Sequence, residues 1–146
     1  MKKTNATKYI TPKKEDLERR FKEYNEMYFD NMLPPCKFRI STSIVSACYN
    51  QNYSWITVSK NIYWTDESLK IVLIHEMVHH YVSKVLKKDP MFAHGRTFNK
   101  ACNMLQKKYG LKVKLYQTPY PWLKGEKKPT LLKKALVKCF WYVFRI

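Results

Sequence analysis

The sequence predicts an α+β protein in which a small antiparallel sheet packs against three helices. Three stretches carry apolar residues at helical spacing. Between the first and the second of them, polar and apolar residues alternate in short segments, as in strands that are buried on one face. A chain of 146 residues has the size of one domain. We therefore expect a single domain, followed by a basic and aromatic C-terminal segment.

The first helix is predicted over residues 12–31, after a polar, basic and flexible tail of residues 1–10. Thr11 can cap this helix, and Pro12 can occupy its first position. The prolines in Leu33-Pro34-Pro35 should end it and turn the chain. An apolar stripe at helical spacing should face the core. Its members are Leu17, Phe21, Tyr24 and Tyr28.

Three strands should follow the first helix. Residues 37–41 alternate polar and apolar side chains. Residues 43–49 and 53–59 are two further candidate strands, and Asn50-Gln51-Asn52 between them has the composition of a hairpin loop. We expect the resulting sheet to be antiparallel.

The second helix is predicted over residues 66–87, with Thr65 as its N-cap, and it contains the motif His-Glu-x-x-His. Residues four apart lie on nearly the same face of a helix, so His75 and His79 can direct their imidazoles at one metal ion. Glu76 lies about 100° further round the helix, where its carboxylate can take a proton from a metal-bound water. The alternative is a buried helix whose histidines have structural partners.

A catalytic zinc ion usually has three protein ligands and one open position. Downstream of Glu76 the only acids are Asp89 and Glu126, which makes a carboxylate ligand hard to build. His94 is the stronger candidate for the third ligand. His80 is its rival, but it is turned about 100° from the adjacent metal-facing position. It would either orient the Glu76 carboxylate or be solvated.

The third helix is predicted over residues 95–109, with Gly110 as its C-terminal glycine. A short strand over residues 111–116 should complete the domain, which we expect to span residues 11–116. Residues 117–146 form a C-terminal extension that is first proline-rich, then basic, and finally aromatic. This extension is either a helix docked on the core, a basic amphipathic element on a membrane surface, or a partner-binding tail.

Two motifs together resemble the SprT-like metalloprotease domain, the catalytic module of the Spartan DNA–protein crosslink proteases. The first is His-Glu-x-x-His at residues 75–79, and the second is His-Gly-x-x-Phe at residues 94–98. Residues 24–36 also resemble the first helix of that family and the Leu-Pro turn after it. The resemblance extends over roughly residues 15–116.

This resemblance implies a zincin-like fold and a metalloendopeptidase activity. It implies one catalytic Zn²⁺ ion bound by His75, His79 and His94, with Glu76 as the catalytic base. An edge strand of the sheet should hold the substrate as an added strand. The implied substrates are proteins attached to DNA, and the implied process is DNA repair.

The net charge of +17, from 28 Lys and Arg against 11 Asp and Glu, favours a polyanionic partner. Nucleic acid is the commonest such partner, while a lysine-rich solvated surface and an anionic membrane are the alternatives. Exposed aromatic side chains can stack on unpaired bases, and Tyr53 and Trp55 are the first candidates for contact with single-stranded DNA. Arg96 is a candidate for contact with phosphate or a substrate carboxylate.

Cysteine spacing and the absence of long apolar runs predict a cytoplasmic protein, nucleoid-associated in a bacterium. No two of the four cysteines have Cys-x-x-Cys spacing, so we expect no zinc ribbon. Cys48 and Cys102 lie in apolar segments and should be core thiols, as in a reducing compartment. We expect no secretory signal and no membrane-spanning segment.

The sequence therefore predicts a zinc metalloendopeptidase that acts on DNA-associated proteins. Two other functions stay open. One is a nucleic-acid-binding or assembly module with a non-catalytic zinc centre, and the other is a zinc protease on a membrane surface.

Overall fold

The computed structural model describes residues 8–44, 46–88 and 93–114. The predicted α+β class is confirmed for this part of the chain, while the C-terminal extension of residues 117–146 lies outside it. The elements in chain order are α1 (Lys14–Phe29), β1 (Lys37–Ser41), β2 (Ala47–Asn50), β3 (Trp55–Ser59), α2 (Asp66–His80), a π-helical turn (Tyr81–Val85) and α3 (Arg96–Tyr109).

The sheet is mixed rather than antiparallel throughout. β3 is the central strand, with β2 antiparallel to it on one side and β1 parallel to it on the other. β2 and β3 form the predicted antiparallel hairpin, but β2 begins at Ala47 rather than at residue 43, and β3 begins at Trp55 rather than at residue 53. The prediction was wrong for β1, because alternation within a strand indicates which side chains face the core and does not indicate the direction of the neighbouring strand.

The two faces of the sheet differ in character. Phe38, Ile56 and Ala47, one from each strand, are buried on the face that packs against the helices. Lys37 pairs with Trp55 in the register of β1 and β3, so both side chains lie on the opposite face. There Lys37 is exposed and Trp55 is half-buried.

Helix α1 buries the predicted stripe, but its ends differ from the prediction. All four residues of the stripe are buried. The N-cap is Lys13 rather than Thr11, and it makes no side-chain cap. Asp30 and Asn31 adopt left-handed backbone conformations, with φ of 51° and 57°. The helix therefore ends before the prolines, at residue types that tolerate this conformation.

The folded unit begins earlier than the predicted boundary at residue 11. Ile10 pairs with Trp64, and the Ile10 amide donates to the Trp64 carbonyl over 2.8 Å. The ring of Tyr9 lies 5.1 Å from that of Tyr63. The predicted tail of residues 1–10 therefore includes a residue that pairs with the domain, Ile10, while residues 1–7 lie outside the described part.

The buried Arg20 side chain joins α1 to the first turn of α2. Its Nε lies 2.8 Å from an Asp16 oxygen, and its Nη2 lies 2.5 Å from Asp66 Oδ1. Burial raises the pKa of Asp16, but hydrogen bonds from Arg20 and Arg19 outweigh it and hold that pKa below its usual value. This paired guanidinium fixes where α2 starts relative to α1.

Helix α2 begins at the predicted cap and becomes a π-helix at its end. Thr65 and Ser68 form a capping box, in which each side chain accepts from the backbone amide of the other. The α-helical part ends at His80, and the π-helical turn then occupies Tyr81–Val85. Apolar periodicity did not predict this change. Among the described residues, no helix is both long and apolar enough to span a bilayer.

The remaining elements agree only in part with the sequence predictions. Gly110 follows the end of α3 with φ of 70°, as predicted. Residues 111–114 do not form the predicted strand, and residues 115–116 lie outside the described part. Cys102 is a buried free thiol, as predicted, and burial raises its pKa to about 12. Cys48 was also predicted to be a core thiol, but it is only half-buried.

Replacing Thr65 by Ala should lower the free energy of unfolding by about 1 kcal/mol, because the Ser68 amide loses its side-chain acceptor. Urea unfolding followed by tryptophan fluorescence measures this loss. Thr11→Ala is the matched control and should change the free energy by less than about 0.5 kcal/mol, since Thr11 is exposed and does not cap α1. Equal losses in the two variants would contradict the assignment of the cap.

Candidate metal centre

Two histidines of α2 and a third from the turn before α3 meet beside α2. The Nε2 atom of His94 lies 3.1 Å from Nε2 of His75 and 3.2 Å from Nε2 of His79. His75 and His79 are buried, and His94 is half-buried. One ligand atom from each residue lies within 4.8 Å of the others, so the cluster can hold a metal ion. The structure thus brings together the three residues that the sequence singled out.

The chemistry of these donors fits a metal ion. Nδ1 of His75 lies 2.6 Å from the Val113 carbonyl oxygen. A carbonyl only accepts, so Nδ1 carries the hydrogen and Nε2 keeps its lone pair toward the other rings. Nitrogen ligands about 2.05 Å from a tetrahedral zinc ion lie about 3.3 Å apart, close to the spacings observed here. A cation between such lone pairs removes their mutual repulsion.

The first turn of α3 holds His94 in place. The Asn99 side-chain amide donates to the carbonyl oxygens of His94, over 2.7 Å, and of Gly95, over 3.1 Å. Phe98 stacks on His79 with ring centroids 4.3 Å apart and meets His75 edge-on at 5.0 Å. Phe98 belongs to the His-Gly-x-x-Phe motif that the sequence showed, whereas Asn99 was missed. An Asn in the first turn of a helix often binds nearby backbone groups through its side chain, and this preference could have indicated Asn99.

Glu76 is held in the protein interior next to the histidine cluster. It directly follows His75 in α2 and is 2% exposed. Removing a carboxylate from water costs free energy. Other interactions of the fold must therefore offset the burial of Glu76 beside the candidate metal ligands. A catalytic base was predicted from the sequence at this position.

His80 lies outside the cluster, and both sequence interpretations of it were wrong. It is 0% exposed, so it is not solvated. Its Nε2 donates to the Pro34 carbonyl over 2.9 Å, and its Nδ1 lies 3.0 Å from the Tyr49 hydroxyl. Neither nitrogen is therefore left to orient Glu76. Burial lowers the pKa of His80, in keeping with a neutral ring. The error arose because the sequence did not show which segments meet α2 here.

The two aromatic candidates for nucleic-acid contact lie together at the start of β3. Tyr53 is 63% exposed, and its ring lies 5.1 Å from that of Trp55. The Arg39 guanidinium lies 4.6 Å from the centre of the Trp55 ring. The sequence did not indicate Arg39, because it adjoins Trp55 only through the parallel pairing of β1 and β3. Arg96 is exposed on a different element, as the first residue of α3.

A groove of about 420 Å³ opens beside Trp55. Lys14, Lys37 and Arg39 line it with positive charge, against the single carboxylate of Glu18. The indole Nε1 of Trp55 is buried and has no hydrogen-bond partner among the residues that the structure describes. We call this surface, formed by Lys14, Lys37, Arg39, Tyr53 and Trp55, the basic aromatic surface.

The fold and the cluster define a small α+β protein with a candidate metal centre between two helices. The model of the SprT-like family matches residues 17–117, which is more than half of the chain and includes all three clustered histidines. The protein therefore belongs to the SprT-like family. A comparison with curated proteins gave no significant match.

Replacing Asn99 by Ala should weaken zinc binding about tenfold, because the backbone of His94 loses the amide that holds it. Competition with a chromophoric chelator measures the dissociation constant. Asn103→Ala, one turn later on the exposed side of α3, is the matched control and should leave the constant unchanged. Equal zinc affinity in both variants would show that His94 does not need this support.

Proposed function

We propose that this protein is a zinc metalloendopeptidase of SprT-like type. The observation that carries the proposal is the cluster of His75, His79 and His94 with the buried Glu76 on the same helix. Imidazole nitrogens suit zinc, and three protein ligands are the usual number at a catalytic zinc site. When bound, such an ion polarises a carbonyl group and lowers the pKa of water toward about 7.

The residues of the site then have separate tasks. The three histidines hold the ion, and the Val113 carbonyl keeps the ring of His75 oriented toward it. Glu76 acts as general base, taking a proton from the attacking water and passing it to the leaving amine. Its burial keeps bulk water away from the carboxylate, which strengthens its interaction with the reacting groups.

We propose that β2 is the strand that receives the peptide. The Tyr49 hydroxyl binds His80, so β2 is the edge strand held against α2. The Ser59 amide donates to the Ser46 carbonyl over 2.7 Å, so Ser46 and Ser59 are a hydrogen-bonded pair. Such pairs alternate along an antiparallel ladder, and the backbone groups of Ala47 and Tyr49 therefore point away from β3. Ala47 is 1% exposed and Tyr49 is half-buried. Tyr49 is therefore the accessible point for backbone hydrogen bonds to an extended peptide.

We further propose that the substrates are DNA-associated proteins. The net charge of +17 and the basic aromatic surface support this. Tyr53 offers an exposed ring for stacking on a base, and Lys14 and Lys37 offer charges for phosphates. Trp55 faces away from the helix-covered side of the sheet. A strand of DNA bound there would leave the metal centre free for a peptide.

The same basic aromatic surface favours one competing function, a nucleic-acid-binding module whose zinc centre is not catalytic. Glu76→Gln separates the two. It should keep the zinc content of the wild type and lose at least about 100-fold in cleavage of a basic DNA-binding protein, because an amide cannot accept the proton. Gel assays of that cleavage and of self-cleavage, with and without single-stranded DNA, measure the effect.

Glu67→Gln, on the exposed first turn of α2, is the matched control and should cleave like the wild type. Undiminished cleavage by Glu76→Gln would remove Glu76 from the mechanism. Zinc-loaded wild type that cuts nothing under any of these conditions would favour the binding module instead.

Replacing Tyr53 by Ala should weaken binding of a single-stranded oligonucleotide at least about fivefold, since stacking on one base contributes about 1–3 kcal/mol. Fluorescence anisotropy at fixed salt measures the affinity. Tyr63→Ala is the matched control, because Tyr63 is also an exposed tyrosine but lies against the ring of Tyr9, outside the basic aromatic surface. An unchanged affinity in both Tyr53→Ala and Arg39→Ala would rule out the basic aromatic surface as the DNA site.

A further inference from the structure

A chain of hydrogen bonds runs from α1 through His80 to β2. The Asn25 side chain binds both backbone groups of Leu33, donating to its carbonyl and accepting from its amide, each over 3.1 Å. The carbonyl of the next residue, Pro34, accepts from Nε2 of His80. At the other end of the imidazole, Nδ1 meets the Tyr49 hydroxyl. The turn after α1 and the edge strand are therefore joined through one buried ring.

The ring of His80 is fixed in both position and tautomer. Since a carbonyl only accepts, Nε2 must donate to Pro34, and Nδ1 must then accept from the Tyr49 hydroxyl. The rings of Phe21 and Tyr49 lie 6.1 Å and 5.3 Å from the imidazole and pack against it. His80 thus acts as a rigid spacer between the turn and β2.

His80 is next in the sequence to a residue of the candidate metal centre. His80 directly follows His79, and the two share the last turn of α2. Tyr49 directs its hydroxyl to His80 and turns its backbone toward the outer edge of β2. Of two consecutive residues of α2, His79 therefore belongs to the metal cluster and His80 binds the edge strand.

We propose that His80 and Tyr49 are positioning residues that set the edge of β2 relative to the metal centre, so that an extended peptide lies in register with it. This inference rests on the proposed peptidase function. Loss of the Tyr49 hydroxyl should impair substrates long enough to pair with β2. It should spare a short substrate that reaches only the metal centre.

Tyr49→Phe tests this, because it keeps the ring against His80 and removes only the hydroxyl. Cleavage of an extended peptide is compared with cleavage of a capped dipeptide that has the same scissile bond. For the extended peptide, KM should rise about three- to tenfold, as expected for one lost hydrogen bond, with kcat and zinc content little changed. The capped dipeptide should be cleaved with unchanged kinetics. Tyr9→Phe, an exposed tyrosine, is the matched control and should behave as wild type.

A second readout does not depend on catalysis. In the zinc-loaded protein, amide hydrogen exchange should become faster in β2 of Tyr49→Phe and stay unchanged in α3. Equal losses on both peptides, with faster exchange throughout, would show a general loss of stability and overturn the inference. Unchanged exchange in β2 would also overturn it. If the wild type cleaves neither peptide, the peptidase function fails, while faster exchange confined to β2 would still establish the hydroxyl as the group that sets β2 against the cluster.

Discussion

The burial of polar side chains along α2 is the constraint on which the rest of the structure depends. His75, Glu76, His79 and His80 are consecutive or nearly so, and all four are buried. Polar groups removed from water need partners, and one helix cannot supply them from its own surface. The carbonyls of Val113 and Pro34, the Tyr49 hydroxyl and the ring of His94 therefore converge on this helix from four other segments. The arrangement of the domain follows from that convergence.

The sequence predicted most of what local chemistry determines, although not the cap of α1 or the π-helical turn, and it failed where distant segments meet. The cap at Thr65, the glycine at position 110 and the spacing of His75 and His79 depend on a few neighbouring residues, and all appear where expected. The direction of β1 depends on its pairing with β3, which is not its neighbour in the chain. The partners of His80 are Tyr49 and Pro34, and both lie more than thirty residues before it. Periodicity has no information on such contacts. For the same reason the Val113 carbonyl was missed as the support of His75. Asn99 is different, because it binds the carbonyls of His94 and Gly95 a few residues earlier in the chain and could have been predicted locally.

The sheet separates two kinds of chemistry by alternation alone. Along β3, Ile56 faces the helices, and the preceding residue, Trp55, faces the other way. In β1, Phe38 and its neighbours Lys37 and Arg39 divide in the same manner. Because successive side chains of a strand point to opposite faces, this small sheet has one apolar face and one cationic, aromatic face. The apolar face packs against the helices that carry the metal cluster. A substitution on one side changes few contacts on the other.

The π-helical turn after α2 has a consequence for how this protein can change over evolutionary time. The Leu86 amide donates to the Tyr81 carbonyl five residues earlier, so the turn accommodates one residue more than an α-helical turn does. Deleting a residue between Tyr81 and Val85 would restore regular winding and rotate the following chain by about 100° about the helix axis. The chain that leads to His94 would then leave the helix on a different side, away from His75 and His79. Insertions and deletions should therefore be rarer in this turn than changes of residue type.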